Sequence, residues 1–474
     1  MGDSVSISLL VCLAPTLLSS TQVKRTSLTL LCVVVAAVLL AGSIPARAQT
    51  TGARRAPLGL FSGADDRRAT HVLNFSLSVV EANGSDVPAE LRGVGPGDEL
   101  LEESTTLDGY STMLNGKTEY RWQGSGVQVG AVAGSSIRYY SQLGAIRSVS
   151  HTAALGVSAR LGARSMLFAN QTAAYRPSYL YTLFPRDPIS SPGDGVPSGL
   201  DYSISHSESY SYGTTMTLTH GLSRRTHLSA TGEFQRTDFL QASAERPDLR
   251  YAGVRGELSR GLTRNTRLTI RYGYRAGQFE IGSDAIGLQT NSAAAEHQVG
   301  FGLEHARPLS ATRRMVMAFS LGSSAVSIRD QDPGTLYRLS GDVSIAWPFT
   351  ATWQARGTFR RGLEYVAELS SPVFADGFTA DVIGVVTSRL EVLAQGRYSS
   401  GRSVLFSDPT TLETYGADLQ ARYALRRGVA LYAEYLHYFY DFAADARLSA
   451  QVPRRLESNG VRVGVTLWVP ALRR

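Results

Sequence analysis

Hydrophobic and polar residues alternate one for one along most of this chain. In RLSGDVSIAW, Leu339, Val343, Ile345 and Trp347 oppose Arg338, Ser340, Asp342 and Ser344. In NGVRVGVTLWVP, Val461, Val463, Val465 and Leu467 oppose Arg462, Gly464 and Thr466. A period of two marks β-strands, whose successive side chains point to opposite faces. The stretch TRLTIRYGYRAG separates strand from helix most sharply. Arg267, Arg271 and Arg275 recur at a helical spacing, but a helix would set Leu268 and Tyr272 apart from Ile270 and Tyr274 and leave no apolar stripe. A strand puts all four apolar residues on one face and the arginines on the other.

The pattern delimits 18 such segments, at 71–83, 106–122, 125–139, 147–161, 165–176, 205–220, 226–239, 249–259, 266–280, 293–305, 314–328, 335–347, 352–364, 376–387, 389–400, 413–425, 428–442 and 456–469. No proline after residue 48 falls inside one; Pro177, Pro348 and Pro470 sit at segment ends, as a continuous hydrogen-bonded ladder requires. Connections alternate between short (for example 162–164, 221–225, 260–265, 348–351, 388 and 426–427) and, at the odd-numbered places, longer (including 84–105, 177–204, 281–292 and 443–455). An antiparallel barrel with short turns at one rim and long loops at the other is the expected fold, with 16 strands as the alternative count.

The barrel is assigned to residues 71–474. Residues 1–48 read as a secretory leader: Lys24 and Arg25, an apolar run over 28–41, Pro45, and a cleavage signal at Ala46-Arg47-Ala48. That run is short of the ~20 apolar residues that cross a bilayer as a helix. Residues 1–22 precede the basic segment and read as a spurious extension, with translation expected to start at Val23. Residues 49–70 form a short periplasmic lead-in.

Composition narrows the chemistry. The net charge is +7, and all 47 basic residues except Lys24 and Lys117 are arginine, interspersed with acids rather than gathered in a nucleic-acid patch. Both cysteines, Cys12 and Cys32, lie in the leader, so the mature chain offers no disulfide, thiolate metal site or thiol nucleophile. Its histidines form no HExxH pair and no GxSxG elbow occurs, so neither a catalytic constellation nor a cofactor or metal site is assigned.

The leader, the alternating strands, the turn and loop asymmetry and the C-terminal GVRVGVTLWV together resemble a bacterial outer-membrane β-barrel of the porin-like kind. The likeness is architectural and covers essentially the whole mature chain. It departs at the end, where Trp468 is followed by VPALRR instead of closing the chain on an aromatic. It implies an outer-membrane location, membrane lipid and the barrel-insertion machinery as partners, and passage of small polar or anionic solutes. Porins commonly form trimers, but no residue here demands one. An accessory or export barrel for a polysaccharide, a scaffold for surface loops and an outer-membrane hydrolase are the alternatives.

In such a barrel a lipid-facing arginine costs ~2–4 kcal/mol at the midplane, so the arginines must turn inward. Strand parity assigns Arg138, Arg160, Arg255, Arg267, Arg271, Arg275, Arg338, Arg356, Arg360, Arg397, Arg422 and Arg462 to the lumen, with Glu233, Glu257, Glu304, Asp342, Asp381, Glu391, Asp418 and Glu434. Such arginines could receive anions or simply pair with the acids and stiffen the wall. Trp122, Trp347, Trp353 and Trp468, beside short turns or at the C-terminus, are expected to form an aromatic girdle. Tyr139, Tyr140, Tyr175, Tyr210, Tyr212, Tyr274, Tyr365 and Tyr440 are expected to form a second one. The third long connection, 177–204, is implied by the resemblance to fold into the pore, with Arg186, Asp187 and Asp194 near its narrowing; its prolines and glycines equally suit an exposed loop.

Overall fold

A computed structural model describes residues 69–87, 107–140, 146–176, 208–240, 248–280, 292–328, 335–365, 372–403, 411–426, 428–442 and 455–474. Residues 1–68, expected from the sequence to be a leader and most of a lead-in, and the connection 177–204 lie outside these residues. The first six strands are β1 (His71–Val87), β2 (Leu107–Gln123), β3 (Val127–Tyr140), β4 (Ile146–Arg160), β5 (Ser165–Arg176) and β6 (Ser209–Gly221). The next six are β7 (Thr226–Phe239), β8 (Asp248–Gly261), β9 (Thr266–Glu280), β10 (Ser292–Pro308), β11 (Arg314–Ile328) and β12 (Leu336–Trp347). The last six are β13 (Trp353–Glu364), β14 (Val373–Val385), β15 (Leu390–Ser403), β16 (Thr411–Arg426), β17 (Val429–Phe442) and β18 (Arg455–Arg473).

Each strand pairs antiparallel with its chain neighbours, and β18 pairs with β1 from Val72 opposite Arg473 to Gly84 opposite Gly460. The sheet is therefore a closed ring of 18 strands, the number the alternation predicts. Two prolines depart from expectation: Pro308 closes β10 opposite Arg314, and the other lies deeper in a strand. Pro470 lies within β18, opposite Asn74, where the register shifts between Leu73 and Asn74. A bulge frees one residue from the ladder, which is where a residue lacking an N–H can be accommodated.

The ring wears its large apolar side chains on the outside. Leu268, Ile270, Tyr272 and Tyr274 of β9 are all exposed, Ile270 at 55%, as are Val461, Val463, Val465, Leu467 and Val469 of β18. Water would not tolerate such a band around a whole protein, whereas lipid requires it of any sheet whose backbone groups are all satisfied by closure. Along β18 the run from Val461 to Val469 covers ~26 Å of strand, or ~20 Å of barrel axis at ~40° tilt, near the usual ~25 Å band. Outward charges keep to the strand ends, as in the pairs Arg236–Asp238 at 2.6 Å and Arg361–Asp376 at 3.5 Å.

Short turns share one rim and are built alike. Ser223, Ser310, Thr350 and Thr387 each accept, through the side-chain oxygen, the backbone N–H groups two and three residues on. The hydroxyl satisfies donors that no ladder partner can reach. In the β16–β17 turn, Gly428 has a φ of 87°, a conformation open mainly to glycine. The same rim joins the two strand ends: the His71 N–H donates to the Arg474 carbonyl and the Arg474 N–H to that of His71, each at 3.0 Å.

Candidate functional site: the inner wall and its narrowing

The inner wall has a register rule. On β9, each arginine faces an acid on one neighbouring strand and a glycine on the other. Arg267 lies between Glu304 and Gly261, Arg271 between Glu257 and Gly300, and Arg275 between Glu296 and Gly253. Elsewhere Arg360 lies between Asp342 and Gly377, and Arg397 opposite Gly416. The glycines make room for guanidinium groups lying flat on the sheet. A Cβ at Gly300 would come within 3.1 Å of Arg271 Nε, and one at Gly416 within 2.9 Å of Arg397 Nε. Stretched over Gly300, Arg271 bonds to Ser320 Oγ on β11 and, at 2.8 Å, to Asp342 Oδ1 on β12.

Much of the cationic wall is consequently neutralised. Ion pairs join Arg275 to Glu296 at 2.7 Å, Arg462 to Glu434 at 3.6 Å, Arg360 to Glu364 at 3.6 Å, Arg267 to Glu304 at 3.9 Å and Arg422 to Glu391 at 4.0 Å. Arg356 stands opposite Asp381, and Asp418 opposite Gln395. Arg138 is buried, donating to the Met113 sulfur at 3.2 Å. Arg255 and Arg338 differ. They face the same interior opposite Gly273 and Ser324, are exposed, and have no ion pair among the described residues.

Toward the long-loop rim the lumen is crossed. Arg275 on β9 donates to the Leu363 carbonyl on β13 at 2.8 Å, although three strands separate the two along the sheet. The next residue but one, Tyr365, donates to the Ala294 carbonyl on β10 at 3.2 Å and stacks on Tyr251 with centroids 5.7 Å apart. Arg275 Cζ lies 5.9 Å from the same ring. Leu363, Tyr365, Phe239, Leu249, Phe279, Ala294 and Val326 form one buried cluster, with Phe374 packed against it. The end of the β13–β14 hairpin therefore leans over the inner wall of β7–β11 and narrows the passage. Gly277 makes this possible, because a Cβ there would overlap the Tyr365 ring. Burial pushes the Tyr365 hydroxyl up from its ordinary pKa and keeps it a donor.

Alternation alone could not show this. Leu363 and Phe374 fall on the side of Phe359 and Phe378, both exposed outward, yet Leu363 is fully buried. The tyrosine girdle is corrected at two positions. Tyr365 belongs to the inner cluster, and Tyr440, on the inward side of β17 with Leu436 and Tyr438, is 0% exposed. Tyr139, Tyr210, Tyr212 and Tyr274 are exposed on the outer face, whereas the side chain of Tyr140 lies outside the described set.

Of the tryptophans, Trp122, Trp347 and Trp353 share the outer side at the short-turn rim. Trp122 stacks on His71, and Phe349 bridges Trp347 and Trp353 at 5.4 and 6.3 Å. Trp468 parts from them: it alternates with the exposed Leu467 and Val469, so it shares the inward side with Thr466, under the Arg473 guanidinium at 5.3 Å. Among the described residues no group of three or more His, Cys, Asp or Glu side chains could hold a metal ion.

Closure, an apolar exterior and a polar, charged interior define the class: an 18-stranded transmembrane β-barrel. No family model matches the chain and no curated protein matches it. Among solved structures it is similar to OpdO of Pseudomonas aeruginosa, with 12% identity, a TM-score of 0.40 and coverage of 85% of this chain and 98% of that one. OccAB3 of Acinetobacter baumannii gives 10% identity and a TM-score of 0.39, covering 84% and 99%. OccK2 (OpdF) of Pseudomonas aeruginosa, in complex with glucuronate, gives 12% and 0.39, covering 85% and 98%. The fold rests on this chain's own strand register and closure.

Proposed function

We propose that the protein is a bacterial outer-membrane channel for small polar or anionic solutes. The observation that supports this reading most directly is the pair Arg255 and Arg338, cations exposed to the interior of a lipid-facing ring and free of acid partners among the described residues. Arginines already tied to acids stiffen the wall and add little net field; a free guanidinium can exchange its water for a carboxylate or phosphate. The refolded protein in a planar bilayer should give open-channel steps with a reversal potential favouring anions. Arg255→Glu with Arg338→Glu should shift that potential toward cations without loss of insertion. A barrel that inserts but stays electrically silent would instead favour an accessory or export role, or a scaffold for surface loops. Unchanged selectivity in the double variant would overturn the assignment of these two residues.

A further inference from the structure

The short-turn rim carries a repeat that solute passage does not use. The turns β6–β7, β8–β9 and β10–β11 read Leu222-Ser223-Arg224-Arg225, Leu262-Thr263-Arg264-Asn265 and Leu309-Ser310-Ala311-Thr312-Arg313. Strand parity carries Leu222, Leu262 and Leu309 on the outer side, and all three are exposed, Leu222 at 50%. The Ser or Thr that follows accepts backbone N–H groups and turns the chain. Exposed arginines follow in the first two turns, Arg224 with Arg225 and Arg264, whereas Arg313 of the third is half-buried and donates to the Phe349 carbonyl at 2.7 Å; Arg260 and Arg307 stand exposed on the outward side of the strands just before the second and third turns. The three turns are neighbours in the ring, ~10 Å apart at the spacing of alternate strands.

The eight short connections contain no acidic residue, and on the strands that carry these three turns the acids nearest them, Glu257 and Glu304, face the lumen. At the opposite rim, outward arginines stand beside acids, as in Arg236 with Asp238 and Arg361 with Asp376. The cationic surface is therefore one-sided and continuous with the apolar belt.

We infer that the arc of turns from β6 to β11 seats anionic phospholipid headgroups of the periplasm-facing leaflet. The leucines stand at the edge of the hydrocarbon, with Arg260 and Arg307 one outward position before theirs and Arg224, Arg225 and Arg264 after them, so the arginines bracket the depth of the phosphates. Guanidinium pairs well with phosphate through parallel N–H donors, and cations at a membrane surface attract acidic lipid. The inference rests on the membrane-barrel reading but not on conduction, so a silent barrel would leave it intact.

Native mass spectrometry of the detergent-solubilised protein, titrated with phosphatidylglycerol or phosphatidylcholine, tests it. Phosphatidylglycerol should be retained at lower concentration. Arg224→Gln, Arg225→Gln, Arg260→Gln, Arg264→Gln and Arg307→Gln combined should weaken its retention by roughly fivefold or more, while lysine at the same positions restores part of it. Arg236→Gln with Arg250→Gln at the other rim should leave retention unchanged. Heat-modifiable gel migration checks that each variant is folded, and the single variants Arg264→Gln and Arg307→Gln, each expected to weaken retention, replace the combined one should it fail to fold. Equal retention of both lipids, an undiminished preference in the glutamine variants, or arginine-dependent binding to peptidoglycan without lipid preference would overturn the proposal.

Discussion

Arg275 is held by partners on two strands of the inner wall. Its guanidinium meets Glu296 through two N–H groups, at 2.7 and 2.9 Å, and the Leu363 carbonyl through a third bond. Glu296 is only 1% exposed. A buried carboxylate deprived of its cation loses far more than the pair was worth, because no water replaces the missing donors. Arg275→Met should therefore lower stability by about 3–5 kcal/mol, read from the urea midpoint of the refolded protein in detergent. Adding Glu296→Leu should recover most of the loss. Arg255 has no such commitment, and Arg255→Met should leave the midpoint nearly unchanged; an equal loss in both variants would refute this division between structural and available arginines.

At the scale of elements, the β13–β14 hairpin has a task beyond closing the sheet. Tyr365→Ala removes the ring that rests on Tyr251 and Phe279, and Gly277→Val fills the space that ring occupies. Both changes should unseat the hairpin and raise single-channel conductance, although one deletes atoms and the other adds them. Unchanged conductance in both would show that this crossing does not limit the path. The turn caps make a separate prediction: Ser310→Ala or Thr350→Ala should cost about 0.5–1.5 kcal/mol in the same urea measurement, since each hydroxyl accepts two backbone N–H groups.

Strands were legible because a half-buried strand writes its period directly into the sequence, and β5, β7, β9 and β11 match their predicted bounds to the residue. Register was not legible. The pairing of Arg271 with Gly300, or of Arg360 with Asp342, joins residues whose proximity only the ladder sets. The leaning hairpin was hidden for a related reason: Arg275 and Leu363 are 88 positions apart, and nothing local in GLEY marks a segment that will cross a lumen. Trp468 is a different case. The opposition of Leu467 to Thr466 sets its side inward, although it lies close to the chain end, where a girdle residue is expected.

For the whole molecule, the decisive property is that its two faces exchange the roles they have in a soluble protein. Ile270 and Thr269 are adjacent on β9, one turned to hydrocarbon and the other to the lumen. Ile270→Arg should destabilise the barrel by ~2–4 kcal/mol, whereas Thr269→Arg should be close to neutral, with both measured by reversible unfolding in lipid. Similar costs at the two positions would contradict a lipid-wrapped ring.

The seam between β1 and β18 imposes an order of events on assembly. Until the last strand arrives, two rows of backbone donors and acceptors stand open, and neither hydrocarbon nor a chain still in transit can satisfy them. Closure of the ring therefore waits until β18 reaches β1. Because those residues end beside His71, a circularly permuted chain, joined there by a short peptide and reopened in the Gly124–Gly126 turn, would assemble the same ring with its seam moved between β2 and β3.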